Sequence, residues 1–147
     1  MRETVHDTFI LEREINASIT AVWNACVDPI ARAQWGVPAG EAMVIDEADF
    51  REGNQDRYRC GPPGSLDFHV VAQYNRIISQ RLIVYTETVT TGGETLLTSL
   101  VTWAFEPNGS TTYVTITTQL VSYVGSGMIE GSRSGHTKAL EQLQELW

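Results

Sequence analysis

The chain has 147 residues, 42% hydrophobic and 19% charged, with ten basic residues against 18 acidic ones and a net charge of −8. That length makes one domain, 1–147, able to bury roughly 70% of its unfolded surface without staples. The acidic balance excludes nucleic acid and an anionic membrane surface as main partners, since both demand a basic patch, and two cysteines, Cys26 and Cys60, are too few for a disulfide framework and form no CxxC spacing.

Met1 to Asp7 is polar and charged, without the apolar core of a signal peptide. The first strand signal is 8–15, where Leu11 and Ile15 alternate with Glu12 and Glu14. Asn16-Ala17-Ser18 breaks it, and the Ser18 hydroxyl is placed to accept from the orphan N–H groups of a first helical turn. Ile19, Val22, Trp23, Cys26 and Val27 recur at helical spacing, which predicts a helix over 19–27. Asp28-Pro29 ends it, because a residue before proline resists the α region. A short second helix is predicted over 30–35, then a loop over 36–40. From there the period turns from helical to alternating. Strands are predicted near 42–51, 55–60, 67–77, 81–91, 95–106 and 111–123, rich in Thr, Val, Ile and aromatics. Gly53-Asn54, Gly92-Gly93 and Pro107-Asn108-Gly109-Ser110 carry hairpin chemistry. Gly61-Pro62-Pro63-Gly64-Ser65 reads as an exposed loop. Every connection is too short for a parallel crossover, so the six strands form an antiparallel meander.

The last helix is predicted over 127–147, with Ile129, Ser132, His136, Ala139, Leu140, Leu143 and Trp147 on one stripe. Gly125, Gly127, Gly131 and Gly135 each cost about 1 kcal/mol relative to Ala inside a helix. The first part of this helix is therefore expected to be loose, or packed very closely on its neighbours. It is the only element large enough to cover the apolar face of a twisted seven-stranded sheet. A curved sheet holding a helix leaves a space between them, and ligands occupy such spaces.

The chain resembles the START-like superfamily, also called SRPBCC or birch-pollen-allergen-like, and within it the bacterial domains related to activators of the heat-shock protein 90 ATPase. Arg13-Glu14-Ile15-Asn16-Ala17-Ser18 leads into Val22-Trp23-Asn24-Ala25, Asp28-Pro29 and Trp35. Asp49-Phe50-Arg51-Glu52-Gly53-Asn54 resembles the family's D-L-R-x-G-G hairpin, and Arg81 to Glu87 its R-L-V-Y-T-E strand. Val101 to Glu106, a glycine turn and Tyr113 to Thr117 resemble its closing hairpin; Gly135-His136, Leu140 and Leu143 resemble its terminal G-W-x-x-x-L-x-x-L helix. The resemblance implies an α+β helix-grip fold: a seven-stranded curved antiparallel sheet around a long C-terminal helix, with two short helices between strands 1 and 2. It also implies homodimers as a common state. The chain departs from the pattern at His136, where the family has Trp, at Asn54 for the second glycine, and at Arg76-Ile77 for Glu-Ile.

None of these motifs is a catalytic signature, so function has to come from the site. His136 lies on the apolar stripe and is expected to face the sheet. It stands there as a titratable group at the cavity, or as a core histidine hydrogen-bonded to a strand side chain. Glu87 either faces water or faces inward, where it needs a partner, and Arg57 and Arg59 are the candidates. His69 has the parity of a half-exposed sheet residue, and His6 is solvated. The HExxH, GxSxG, P-loop and GxGxxG motifs are absent. Cys60 lacks an activating base and Cys26 reads as a small core residue. Asp46-Glu47-Asp49 reads as a solvated edge.

The leading expectation is a cytoplasmic domain, needing no cofactor or metal, whose cavity binds a small apolar or aromatic molecule. Its walls would be Trp35, Tyr58, Phe68, Trp103, Met128, Ser132 and His136. The rivals are a cofactor-free cyclase- or hydrolase-like enzyme in the same cavity, using His136 and Glu87, and a co-chaperone-like protein-interaction module. An enzyme needs two converging titratable groups in the pocket, a carrier at most one polar end, and an interaction module no sizeable cavity.

Overall fold

A computed structural model describes residues 3–147; of the polar segment Met1 to Asp7, Met1 and Arg2 lie outside the described residues. The elements run β1 (Val5–Ile15), α1 (Ile19–Val27), α2 (Pro29–Trp35), β2 (Ala42–Glu47), β3 (Gln55–Gly61), β4 (Phe68–Ile78), β5 (Leu82–Thr91), β6 (Glu94–Asn108), β7 (Thr111–Ser122) and α3 (Gly127–Gln144). The strands form a single seven-stranded antiparallel sheet in the order β1-β7-β6-β5-β4-β3-β2. Strands β2 to β7 are the expected meander, and β1 closes onto β7 from Val5↔Ser122 to Ile15↔Thr112. This is the expected α+β helix-grip architecture.

Local chemistry explains most of the boundaries. The Ser18 hydroxyl accepts from Ala21 N at 3.2 Å and starts α1. Asp28 ends α1 through its N–H to Asn24 O, and its carboxylate accepts from Ile30 N at 3.0 Å to start α2. Because Asp28 caps, Pro29 becomes the first residue of α2, where a missing N–H costs nothing. At the β5–β6 hairpin, Gly92 and Gly93 take φ of 54° and 81°, the left-handed pair a two-residue turn requires.

Two expectations need correction. Strand β2 stops at Glu47 instead of running to 51. Side chains capture the segment that follows: Asp56 Oδ1 takes Asp49 N at 2.9 Å, and the Asp49 carboxylate takes Arg51 and Asn54. Such side-chain bonds compete with ladder pairing. Helix α3 stops at Gln144, and Trp147 is 45% exposed rather than on the buried stripe; Leu143 is the last α3 residue to reach the core. Of the two arrangements expected for the glycine-rich start of α3, close packing does not occur, since a Cβ on Gly127, Gly131 or Gly135 would meet nothing within 4 Å.

The core lies between the concave face of the sheet and the helices, in two clusters. One joins Trp23, Trp35, Tyr74, Trp103, Phe105 and their neighbours to Ala139, Leu140 and Leu143 of α3. The other joins Phe9, Val70, Val89, Leu97 and Leu120 to Ile129. Between Ile129 and Ala139 no α3 residue is buried, and Ser132 and His136 are half-buried there.

The glycines on α3 and in the β3–β4 loop should respond oppositely to a methyl group. Gly131→Ala, in open space on a helix, is expected to raise stability by about 1 kcal/mol. Gly61→Ala should lower it, because its Cβ would stand 2.5 Å from Ser65 O at a φ of +143°. Urea unfolding with an unchanged m-value checks both.

Candidate functional site

The interval between the two core clusters is hollow. The more enclosed space is a chamber of about 110 Å³, walled by residues of α2, β3, β4, β5, β6 and α3. A wider vestibule of about 410 Å³ lies beneath the N-terminal half of α3. The two share walls at Gly36, Tyr58, Glu87, His136 and Ala139.

One end of the chamber carries a buried ion pair. Strand β3 alternates Asp56, Tyr58 and Cys60 onto the concave face, and Asp56 is only 2% exposed. From α2, Arg32 lies one turn before Trp35 and reaches the same region. Its Nη2 stands 2.8 Å from Asp56 Oδ2, an ion pair with both side chains mostly out of water. The Tyr74 hydroxyl donates to Asp56 Oδ2, and Arg32 Nη1 donates to the Tyr74 oxygen at 3.4 Å. Burial works against the guanidinium charge, but Tyr74 and Asp56 outweigh it and hold the Arg32 pKa above its ordinary value.

Strand β5 supplies the second polar group. Ile83, Tyr85, Glu87 and Val89 face inward, so Glu87 is a buried carboxyl group at 9% exposure. Its partner is the Tyr58 hydroxyl, which donates to Glu87 Oε2 at 3.3 Å. Arg57 and Arg59 do not serve it: they point to the outer face and pair with Glu47 and Asp46. Alternation along β3 puts them opposite Tyr58. Burial, then the neighbouring Glu87, pushes the Tyr58 and Tyr85 hydroxyls well above the usual phenol range, so both remain protonated donors. The Trp103 indole N–H is directed toward Tyr85 but forms no aligned hydrogen bond. Ser99, opposite Glu87 in the register, and Thr118 on β7 likewise bury hydroxyls without a partner.

His136 faces the sheet as expected, with its ring 5.9 Å from that of Phe9. Its hydrogen-bond partner is not a strand side chain. Nδ1 lies 2.9 Å from Ser132 O on its own helix, and a carbonyl can only accept, so Nδ1 carries the proton. In the neutral ring Nε2 is then an acceptor, on a residue that lines both spaces.

The expected wall residues are divided between the two spaces. Trp35 and Trp103 line the chamber; Phe68, Met128 and Ser132 line the vestibule; Tyr58 and His136 line both. Trp35 is also a core anchor, its indole N–H donating to Ala25 O at 2.9 Å. Sequence reasoning missed Arg32 and Asp56, although both left a signal. Asp56 shares the parity of Tyr58, and Arg32 lies three residues before Trp35 on the same face of a helix. His69 is exposed on the outer face, as its parity requires. Burial, then Glu41 and Glu87, pushes the Cys60 thiol up to about 11, and burial pushes Cys26 up as well. Neither thiol is activated. Asp46, Glu47 and Asp49 pair with arginines at the surface, and no group of three or more metal-ligating side chains occurs among the described residues.

The fold has relatives. A family model described as "Activator of Hsp90 ATPase homolog 1-like protein" matches residues 16–147. The crystal structure of Mll3558 protein from Rhizobium loti is similar at 27% identity over 98% of this chain and 99% of that one, with a TM-score of 0.86. A protein from Rhizobium leguminosarum is similar at 28% identity over 98% and 95%, with a TM-score of 0.85. DynU16, from the dynemicin biosynthetic locus, shares the fold at 15% identity over 95% of this chain and 46% of that one, with a TM-score of 0.71. No curated protein matches the chain. No helix among the described residues is long and apolar enough to cross a membrane.

Removing one partner of the buried pair leaves the other charge stranded. Asp56→Ala is expected to destabilise by about 3–5 kcal/mol, measured by chemical denaturation. The Cys60 thiol, with its pKa near 11, should alkylate with iodoacetamide at a rate that still climbs steeply between pH 8 and pH 10. A plateau near pH 9 would contradict the burial assigned to it.

Proposed function

The chain belongs to the Activator of Hsp90 ATPase homolog 1-like family, and on that premise we propose that it binds a small, largely apolar aromatic molecule between α3 and the sheet. The observation that carries this reading is the chamber itself. It holds open space between two well-packed clusters, with Trp35, Trp103 and Tyr58 on its walls and a few polar groups among them. Ligand pockets have this make-up, mostly apolar walls with sparse, fixed polar groups that orient the occupant. The ligand contacts are Trp35, Tyr58, Phe68, Trp103, Met128, Ser132 and His136, the vestibule being the way in. The same reading places the protein in the reducing cytoplasm, which suits two free cysteines. It needs no cofactor, no nucleic acid and no membrane. A homodimer is compatible with it, since both spaces are formed within one chain.

A second reading has its own support. Glu87 and His136 both line the junction of chamber and vestibule, and Arg32 adds a third polar side chain. Two titratable groups converging on an apolar pocket are what a cofactor-free acid–base enzyme needs, and more than a simple carrier requires. In that reading Glu87 and the free Nε2 of His136 exchange protons with the bound molecule. A co-chaperone-like interaction module requires no chamber, so the chamber favours the other two readings.

Native mass spectrometry of the purified protein should show a co-purified small molecule, or a thermal-shift screen should single out one apolar or aromatic class. Ligand at 100 times Kd contributes about 2.7 kcal/mol. Ala139→Leu, which fills the shared wall, should weaken that binding by about tenfold or more while the protein still folds. No bound mass and no shift across apolar and aromatic libraries would overturn the proposal. If the acid–base reading holds, Glu87→Gln retains ligand and loses turnover; unchanged turnover would remove it.

A further inference from the structure

The inner walls carry one buried charge that no described residue balances. In the chamber Arg32 and Asp56 neutralise each other as an ion pair 2.8 Å apart. In the vestibule Glu41 and Lys138 are exposed to water. Glu87 differs from all of these. It is only 9% exposed and lies on the wall that the two spaces share. Among the described residues it forms no ion pair, since Arg57 and Arg59 are held on the outer face and Arg32 by Asp56. Its hydrogen bond comes from a neutral group, the Tyr58 hydroxyl, and reaches Oε2 at 3.3 Å. Oε1 keeps its capacity to accept.

An occupant has to answer that carboxylate. Water entering through the vestibule can hydrate an empty chamber, but a ligand that fills the space displaces it. Glu87 is then left with a phenol alone, a costly state for a buried charge. A carboxylate ligand adds repulsion at short range. A neutral hydroxyl offers a hydrogen bond without a countercharge. An ammonium offers both, and charge-assisted hydrogen bonds are about twice as strong as neutral ones. The walls favour the same ion. Tyr58 and Tyr85 stand near enough to Glu87 for its charge to help raise both phenol pKa values, and Trp35 and Trp103 continue the aromatic lining. Aromatic rings attract cations, most strongly out of water. The chain's net charge of −8 favours a cation on approach as well.

Resting on the chamber reading above, we infer that the ligand is an arylalkyl amine, an aromatic body carrying an aliphatic nitrogen that is protonated at neutral pH. Its ammonium donates to Glu87 Oε1 while the aromatic body lies along the Trp and Tyr walls. Glu87 is thereby the specificity-determining residue, and carboxylic acids of the same skeleton are rejected.

The test compares four probes of one shape, methylnaphthalene, naphthylmethanol, naphthylmethylamine and naphthoate, by calorimetry on the intact protein at neutral pH. The amine should bind about tenfold more tightly than methylnaphthalene, the worth of one hydrogen bond to a charged group. The alcohol should fall between them, and naphthoate should bind most weakly. The nitrogen resonance of an isotope-labelled amine should report an ammonium in the bound state. Glu87→Gln, which keeps the shape and removes the charge, should bring the amine within about threefold of the hydrocarbon and leave the hydrocarbon's affinity as it was. Equal affinity for amine and hydrocarbon, a preference for the alcohol or naphthoate, a bound amine that is neutral, or a Glu87→Gln variant that keeps the amine's advantage overturns the inference and leaves the apolar chamber standing. Binding of none of the four overturns both. The wild-type order and the charge of the bound nitrogen decide the matter even if the variant does not fold.

Discussion

Helix α3 touches the sheet with large apolar side chains only near its two ends. Ile129 seats the first turn, and Ala139, Leu140 and Leu143 seat the last. Between these anchors the inward positions are Ser132 and His136, which are half-buried and too small or too polar to fill the gap. The sheet matches this interruption: Glu87, Ser99 and Thr118 are buried polar groups among the apolar side chains of the sheet. A helix pinned at both ends over a curved sheet cannot collapse onto its middle without losing one of its seats. The hollow is therefore a consequence of where leucines and isoleucines were placed, and the fold's stability does not depend on filling it.

The buried ion pair belongs to the same design. Arg32 and Asp56 come from elements adjacent in space but far apart in sequence, and Asp56 and Tyr74 together hold the Arg32 charge against its burial. Such a pair is weak evidence for stability, because desolvation offsets most of its attraction. Its value is in what it does to the chamber: it sets a fixed polar corner inside an aromatic enclosure, where polar contacts weigh more than they would in water. His136 is held by a comparable device: its bond to Ser132 O fixes the ring and leaves the other nitrogen toward the cavity. The polar groups are few, preoriented and mutually separated by aromatic surface.

Much of the fold was legible from residues alone. Ser18, Asp28 and Pro29 set the helix boundaries through local hydrogen bonding, and Gly92-Gly93 set a hairpin through backbone freedom. Where the reading failed, a contact distant in sequence or a chain end was responsible. Strand β2 is cut short because Asp56 takes the Asp49 N–H, and α3 ends early because residues beyond Leu143 have no apolar surface to meet. The site was legible in part. All seven expected wall residues line one of the two spaces. Glu87 was undecidable because both faces of β5 carry similar mixtures of Val, Ile, Thr and Tyr. Arg32 went unremarked because its partners Asp56 and Tyr74 lie far away in sequence.

The sequence by itself therefore determined the order of elements, the antiparallel meander, and the presence of a polar interruption in the covering helix. These follow from interactions within a few residues and from periodicity, which one chain displays without folding. The tertiary structure alone decided which way Glu87 points, that Tyr58 rather than Arg57 or Arg59 meets it, and that Arg32 and Asp56 share a buried corner. Those facts depend on the twist that brings α2 over β3 and on the burial that makes an unpaired charge intolerable. Both are properties of the assembled core rather than of any segment of it.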